Sequence, residues 1–366
     1  MLTQYTDYFS ANYQAARAKF RAAVSGAGGD FASYERPTGR GAEGEQLAID
    51  VGQFGNRHSS RQFLIISATH GLEGFAGAAL QVAWLRSVMN PDLLRNVGFI
   101  LIHGLNPFGF SYGTRTTQEG VDLNRNFVDH TVTRPDNELY RRIHPYLIAN
   151  MADAPAWANA QQALDDMRAS VGEDALFDAI SRGQYSHSDG VFYGGVARTW
   201  ENRTLEDIVL RYAGHASKVV VIDWHTGIGS YGKPFFLAFA DDGSDEQRQT
   251  AQWWGEDNVI AARPHGRDRP RYRGLVFDGV RAFIPRAQVA GGVIEWGTRG
   301  PVAGEIAVRQ DRWLRDYGGT LSADAFAQVK ADLLDSLNPV SYLWRNSVID
   351  KGMQIMNATA QGLACW

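Results

Sequence analysis

Cysteine is nearly absent. The single one, Cys365, stands beside the C-terminus, so neither a disulfide within the chain nor a thiolate metal site can be built from it. A surplus of one charge is lacking too. The 36 Lys and Arg against 40 Asp and Glu leave a net −4, which gives no electrostatic case for nucleic acid. No apolar run is long enough to span a bilayer. The stretch Met1 to Asp7 has neither the basic nor the apolar part of a signal peptide. There is no G-x-S-x-G, so the usual elbow of serine hydrolases is missing. These absences lead us to expect a soluble, cytoplasmic protein. What the chain does have is 366 residues, 44% of them hydrophobic, enough to bury a sizeable core.

Periodicity locates the elements. Phe9, Tyr13, Phe20 and Val24 recur at helical spacing over about Thr6 to Val24, and Gly26 stops them. Leu47, Ile49 and Val51 alternate with polar residues, as in a strand with one exposed face. Phe63–Ala68 and Val97–Ile102 are nearly continuous apolar runs, as central strands require. Between them Gly74–Met89 has an apolar helical face, closed by Asn90-Pro91. That order implies parallel pairing by a right-handed crossover. Asp136 to Ile180 reads as mostly helical. Lys218–Trp224, Phe235–Ala240 and Gly292–Trp296 are three more strands. Helices over about Val302–Tyr317, Ala323–Leu337 and Val340–Met356 close the chain, with Ser322 as N-cap of the second. The expected fold is a single α/β domain: a three-layer α/β/α sandwich with a mixed, mostly parallel central sheet. Its core would run over about 45–320, with helices 321–366 packed on it.

His70 and Glu73 follow the first central strand, and His225 ends the run Val219–Trp224. Ligands of such sheets sit beyond the carboxyl ends of the strands. A His and a Glu one turn apart, with a distant His from another strand end, form a ligand set for one zinc ion with an open fourth position. Glu295 interrupts the apolar end of Gly291–Gly297. A lone carboxylate there costs free energy unless it is paired or functional.

One further segment, Gly120-Val-Asp-Leu-Asn-Arg-Asn-Phe127, completes a pattern. Together with the His70/Glu73 pair, Asp223-Trp-His-Thr-Gly-Ile-Gly229 and Glu295-Trp-Gly-Thr298, it resembles the zinc carboxypeptidase superfamily, and more narrowly a poorly characterised carboxypeptidase-like branch. The similar segments run from about residue 60 to 300 in the family's order. The resemblance implies a zinc-peptidase-like fold, with His70, Glu73 and His225 as metal ligands. It implies that Asp122 hydrogen-bonds the first His from behind, fixing its tautomer. Asn124 and Arg125 match the pair that grips a substrate carboxylate, a task suited to a guanidinium fork. Arg115 matches the arginine that stabilises the oxyanion, with Arg134 as the alternative. Glu295 matches the general base that activates water. Tyr272 lies in the stretch where the family's substrate-closing tyrosine falls.

The activity implied is zinc-dependent hydrolysis of an amide in a small peptide or N-acyl amino acid bearing a free carboxylate. A deacylase of the aspartoacylase and succinylglutamate desuccinylase type is the alternative, and a non-catalytic binding protein the third reading. Nickel or cobalt could fill the same ligands, and homo-oligomerisation is left open. Gly227-Ile-Gly-Ser-Tyr-Gly232 fits a dinucleotide fingerprint, yet the strand-like Phe235–Phe239 follows it instead of a helix, so no nucleotide is expected. The arginines at 263, 267, 269, 271 and 273 read as a solvated loop or subunit contact, with recognition of acidic groups on the substrate as the functional alternative. Tyr185–Gly195, with His187, reads as pocket lining; His103 and His144 read as structural or surface residues.

Overall fold

The computed structural model describes residues 5–87, 91–134, 136–260 and 262–366. Among these residues seven strands build one mixed sheet: β1 (Asp30–Glu35), β2 (Ala48–Gly55), β3 (Arg61–Ser67), β4 (Gly98–His103), β5 (Lys218–Gly227), β6 (Pro234–Ala238) and β7 (Gln288–Gly297). Their order is β1-β2-β4-β3-β5-β7-β6. β4, β3, β5 and β7 run parallel in the centre. The flanking pairings β1–β2, β2–β4 and β6–β7 are antiparallel.

Alternation along the central strands feeds two apolar layers. Phe63, Ile65, Phe99, Leu101, Val220 and Ile222 pack with residues of helices Tyr13–Gly26, Gly74–Leu85 and Tyr342–Cys365. Leu64, Ile66, Ile100, Ile102, Val219 and Val221 pack with helices Trp200–Ala213 and Val276–Phe283. This is the expected α/β/α arrangement. Among the described residues, no helix is long and apolar enough to cross a membrane.

Several boundaries differ from the sequence reading, each for a physical reason. The first long helix begins at Tyr13, because the Asn12 side chain accepts from Ala15 N at 2.9 Å and caps it there; Thr6–Tyr8 is a separate 3-10 turn. The expected end of the helix after β3, at Met89 and Asn90, lies outside the described residues, as do Met1–Gln4 of the N-terminal segment. β2 has no solvent face over its first half. Asp50, which suggested one, is fully buried, and Arg17 and Arg21 from helix Tyr13–Gly26 reach it at 2.7 and 3.0 Å. Ser322 does cap its helix, accepting from Ala325 N at 3.2 Å. The last helix runs on to Cys365, since Ala360 and Leu363 extend its buried face.

Candidate metal centre

The parallel centre of the sheet delivers the site. β3 ends at Ser67. Ala68 then takes a left-handed turn (φ 60°), and His70 follows as N-cap of the 3-10 turn Gly71–Glu73. Gly71 is required there: a Cβ would lie 1.9 Å from the Gly109 carbonyl carbon. His225 lies near the end of neighbouring β5, and its register partner on β7 is Glu295. Three adjacent strand ends therefore supply all four groups, which are almost wholly removed from solvent.

His70, Glu73 and His225 converge, their ligand atoms lying within 4.8 Å of one another. His70 Nδ1 is 3.1 Å from Glu73 Oε1, His225 Nδ1 is 3.1 Å from Glu73 Oε2, and the two Nδ1 atoms are 3.0 Å apart. Each ring turns its other nitrogen to a carboxylate. His70 Nε2 is 3.0 Å from Asp122 Oδ1, and His225 Nε2 is 2.9 Å from Asp223 Oδ2, though off the line of a good hydrogen bond. A proton on His70 Nε2 satisfies Asp122 and one on His225 Nε2 is drawn to Asp223, so that an ion displacing any further proton meets two Nδ1 lone pairs facing each other beside Glu73. Three lone-pair donors at this spacing call for a cation between them. A tetrahedral ion with bonds of about 2.1 Å sets its ligands roughly 3.4 Å apart, close to the separations here. The donor set therefore fits a divalent metal.

The electrostatics agree. Burial works against the charge on Glu73, but the His70 and His225 imidazoles outweigh it and hold its carboxyl below the usual range. Burial likewise opposes charge on Asp122, yet Arg115 and then His70 keep it well below its ordinary value. Burial would lower His225, but Asp223 and Glu73 carry it well above the usual imidazole value. Glu295 behaves oppositely. Burial first, then the Glu73 carboxylate, push it up to about 7, and its one hydrogen bond among the described residues is a long one from Ile228 N at 3.4 Å.

Arg115 donates to Asp122 Oδ2 at 3.0 Å and to Glu73 Oε1 at 3.1 Å and lines the cavity. The alternative, Arg134, donates to the Val196 carbonyl and does not reach the cavity. Asp122 caps the 3-10 turn Leu123–Arg125, accepting from Asn124 N at 3.0 Å. Asn124 Oδ1 accepts from Val276 N at 2.8 Å. Arg125 donates to Ser181 O from Nε and Nη2, at 3.0 and 2.7 Å, and to Asn124 O from Nη1 at 2.7 Å. Two of its five N–H groups have no partner among the described residues. Its Cζ lies 5.4 Å from the Phe192 ring centre and 5.0 Å from that of Tyr272. Burial pushes the Tyr272 phenol up to about 12.

Sequence reasoning gave Asp223 and Ser181 no role, while Phe192 lies in the Tyr185–Gly195 stretch read as pocket lining and does line the cavity. Asp223 was legible: Asp-x-His on a strand puts both side chains on one face. Thr69 Oγ1 donates to Asp223 Oδ1 at 2.8 Å and holds it behind His225. We expect Asp223→Asn to weaken metal binding by roughly 10–100-fold with little change in the melting of the metal-free protein; equal metal affinity in a competitive titration would assign Asp223 a purely structural role.

The other candidates fall elsewhere. His103 stacks on Phe20 and sits 3.1 Å from Gln81 Oε1, and burial lowers it to about 4. The rings of His144 and His187 pack on each other, 4.0 Å apart, and line no part of the cavity. Among the described residues, no second His, Cys, Asp or Glu group converges in this way. The arginine-rich segment is paired within itself and with helix Glu173–Ser181: Arg263 meets Asp268, Arg267 meets Glu173, and Arg271 meets Asp178. Arg267 also reaches the cavity rim.

Fold and site together define an α/β protein with a candidate metal centre at the carboxyl edge of its sheet. Residues 9–351 match the family described as protein of unknown function DUF2817, and the chain belongs to that family. No curated protein matches it. Among solved structures it is similar to thrombin activatable fibrinolysis inhibitor, at 12% identity over 90% of this chain and 75% of that one, with a TM-score of 0.44. A metallo-carboxypeptidase from Burkholderia cenocepacia shares 13% identity over 87% and 66% of the two chains, with a TM-score of 0.38. A protein of Shewanella amazonensis SB2B, assigned provisionally as a metallopeptidase, shares 14% over 84% and 93%, with a TM-score of 0.43. None of these likenesses is close enough to transfer an activity.

Proposed function

We propose that the protein is a zinc-dependent hydrolase of amide bonds, carboxypeptidase-like, acting on a small peptide or N-acyl amino acid with a free carboxylate. The observation that carries this reading is Glu295: a buried carboxylate in register with His225, facing the same cavity as the three metal-fitting groups and held by one long hydrogen bond. A buried carboxylate facing a cavity beside three metal-fitting groups is placed for chemistry.

His70, Glu73 and His225 would hold the ion, with Asp122 and Asp223 behind the two rings. Zinc, when bound, supplies Lewis acidity toward the carbonyl and makes a neighbouring water more acidic. The rest is done by side chains. Glu295, near neutrality in its burial, takes a proton from water and passes it to the leaving amine. Arg115 faces the charge that develops on the carbonyl oxygen. Asn124 and the unspent N–H groups of Arg125 hold the substrate carboxylate. Tyr272, protonated throughout the working range, offers a hydroxyl beside that carboxylate.

Metal-loaded protein, its ion identified by elemental analysis and anomalous scattering, should hydrolyse members of a panel of C-terminal peptides and N-acyl amino acids and spare the same amides lacking the carboxylate. Metal-loaded protein inert across the whole panel would instead mark a binding protein.

A further inference from the structure

Beyond the metal centre the cavity runs along one face of a helix. Pro301, Gly304, Glu305 and Val308 of helix Pro301–Tyr317 line it, at the spacing that shares a face. Val308 packs in the cluster that holds Phe192. The Phe192 ring centre is 5.0 Å from Cζ of Arg115, the group that faces the scissile carbonyl. This helix face therefore adjoins the acyl half of a bound substrate. The carboxylate half belongs with Tyr272, whose ring centre is 5.0 Å from Arg125 Cζ and 6.2 Å from that of Phe239.

Most charged groups along the outer cavity already have close partners. Glu173 is shared by Arg168, at 2.7 Å, and Arg267, and Arg168 also meets Asp165. Arg309 donates to the carbonyls of Leu147 and Tyr146 at 3.2 and 2.8 Å, lies over the Trp157 ring and is only 3% exposed. Glu305 is the exception. It stands four residues before Arg309, the spacing and order that favour an ion pair on a helix, yet that pair is not made. Burial lowers the Arg309 guanidinium to about 10, and Glu305 opposes this only from beyond contact. The half-buried Glu305 carboxylate lines the cavity with no hydrogen bond or ion pair among the described residues. Space lies open beside it, since a Cβ on Gly304 would meet nothing within 4 Å. A carboxylate partly withdrawn from water and left without a donor is matched by a cation.

Resting on the amide-hydrolase reading, we infer that the acyl half of the substrate carries an ammonium group, which Glu305 binds. A cavity of about 150 Å³ lies below the roughly 300–1,000 Å³ of pockets for drug-sized molecules and suits a short substrate. An unblocked dipeptide brings the ammonium on its first α-carbon; an acylated lysyl residue brings it at the end of a side chain. Hydrolysis of the dipeptide consumes one water and releases two free amino acids. An acidic acyl group, such as succinyl, would set two negative charges side by side.

The test uses the metal-loaded protein at about pH 7 with four probes: alanyl-leucine, N-acetyl-alanyl-leucine, N-acetyl-lysyl-leucine and N-succinyl-leucine. A cationic probe should exceed acetyl-alanyl-leucine in kcat/KM by roughly 10–100-fold, the worth of one hydrogen bond between charged groups, and succinyl-leucine should be the poorest. Alanyl-leucine in front identifies an α-ammonium, acetyl-lysyl-leucine a side chain. Glu305→Gln should erase the cationic advantage, and Glu305→Lys should bring succinyl-leucine to the front. Equal turnover of cationic and acetylated probes, an advantage that survives in Glu305→Gln, or an equal loss on all four probes in that variant overturns the assignment while the hydrolase stands. If none of the four is cleaved, the hydrolase reading falls, and calorimetry with metal-loaded Glu295→Gln decides Glu305 on its own. Tighter binding of a cationic probe than of acetyl-alanyl-leucine, lost when Glu305→Gln is added, sustains the assignment, and equal binding ends it.

Discussion

Glu295→Gln should lower kcat by roughly 10²–10⁴-fold, the usual worth of a positioned acid–base group, and leave metal content unchanged. Glutamine preserves shape and can still accept the Ile228 amide, 3.4 Å away in the native protein. It cannot take a proton from water. Glu295 lies outside the converging group of His70, Glu73 and His225, so the ion should stay. The pH dependence has a definite sign. The base works only when ionised, so native turnover falls as pH drops through its pKa. Burial and Glu73 push that value up to about 7 in the metal-free site, and a neighbouring cation shifts the acid limb to lower pH. The variant should lack this limb. Native kcat in the variant, or loss of its metal, would remove Glu295 from the role of base.

Metal removal should have the other large effect: chelation takes turnover to background, and the ion restores it. It should also lower the melting temperature, because an ion held only by the folded state stabilises it, by about 4 kcal/mol at a thousand times its dissociation constant. Protons compete for the same lone pairs. Asp223 and Glu73, acting against burial, keep His225 protonated well above the usual imidazole range. Binding must displace that proton, so affinity weakens by about tenfold per pH unit toward acid for each proton displaced. Melts with and without metal should differ more at pH 8 than at pH 6. A stripped protein with full activity would contradict the mechanism outright.

The sequence showed the site's inner groups more plainly than its walls. His70, Glu73, His225 and Glu295 sit at the ends of apolar runs, where polar residues stand out. Ser181 reaches Arg125 from a helix whose pattern says nothing about where it docks, whereas Phe192 falls in the Tyr185–Gly195 stretch that reads as pocket lining. Asp50 looked like the polar face of a strand, since periodicity cannot foresee Arg17 and Arg21 arriving from a helix some thirty residues earlier. β7 was legible only from Gly292, although it starts at Gln288. Glycine has low strand propensity, yet here it is obligatory. A Cβ at Gly291 would come within 2.1 Å of the Val221 carbonyl oxygen, and one at Gly292 within 2.1 Å of that of Leu237.

Trp224 and Trp296 alternate with the site residues. Their rings stack in the opposite apolar layer, with centres 5.9 Å apart, one residue from His225 and Glu295 respectively. A slip of β5 or β7 by one residue would turn an indole toward the cavity and drive an imidazole or a carboxylate into hydrocarbon. The two indoles thus pin the register that brings His225 and Glu295 to the cavity, and ion uptake during refolding should report when β5 has paired correctly with β3.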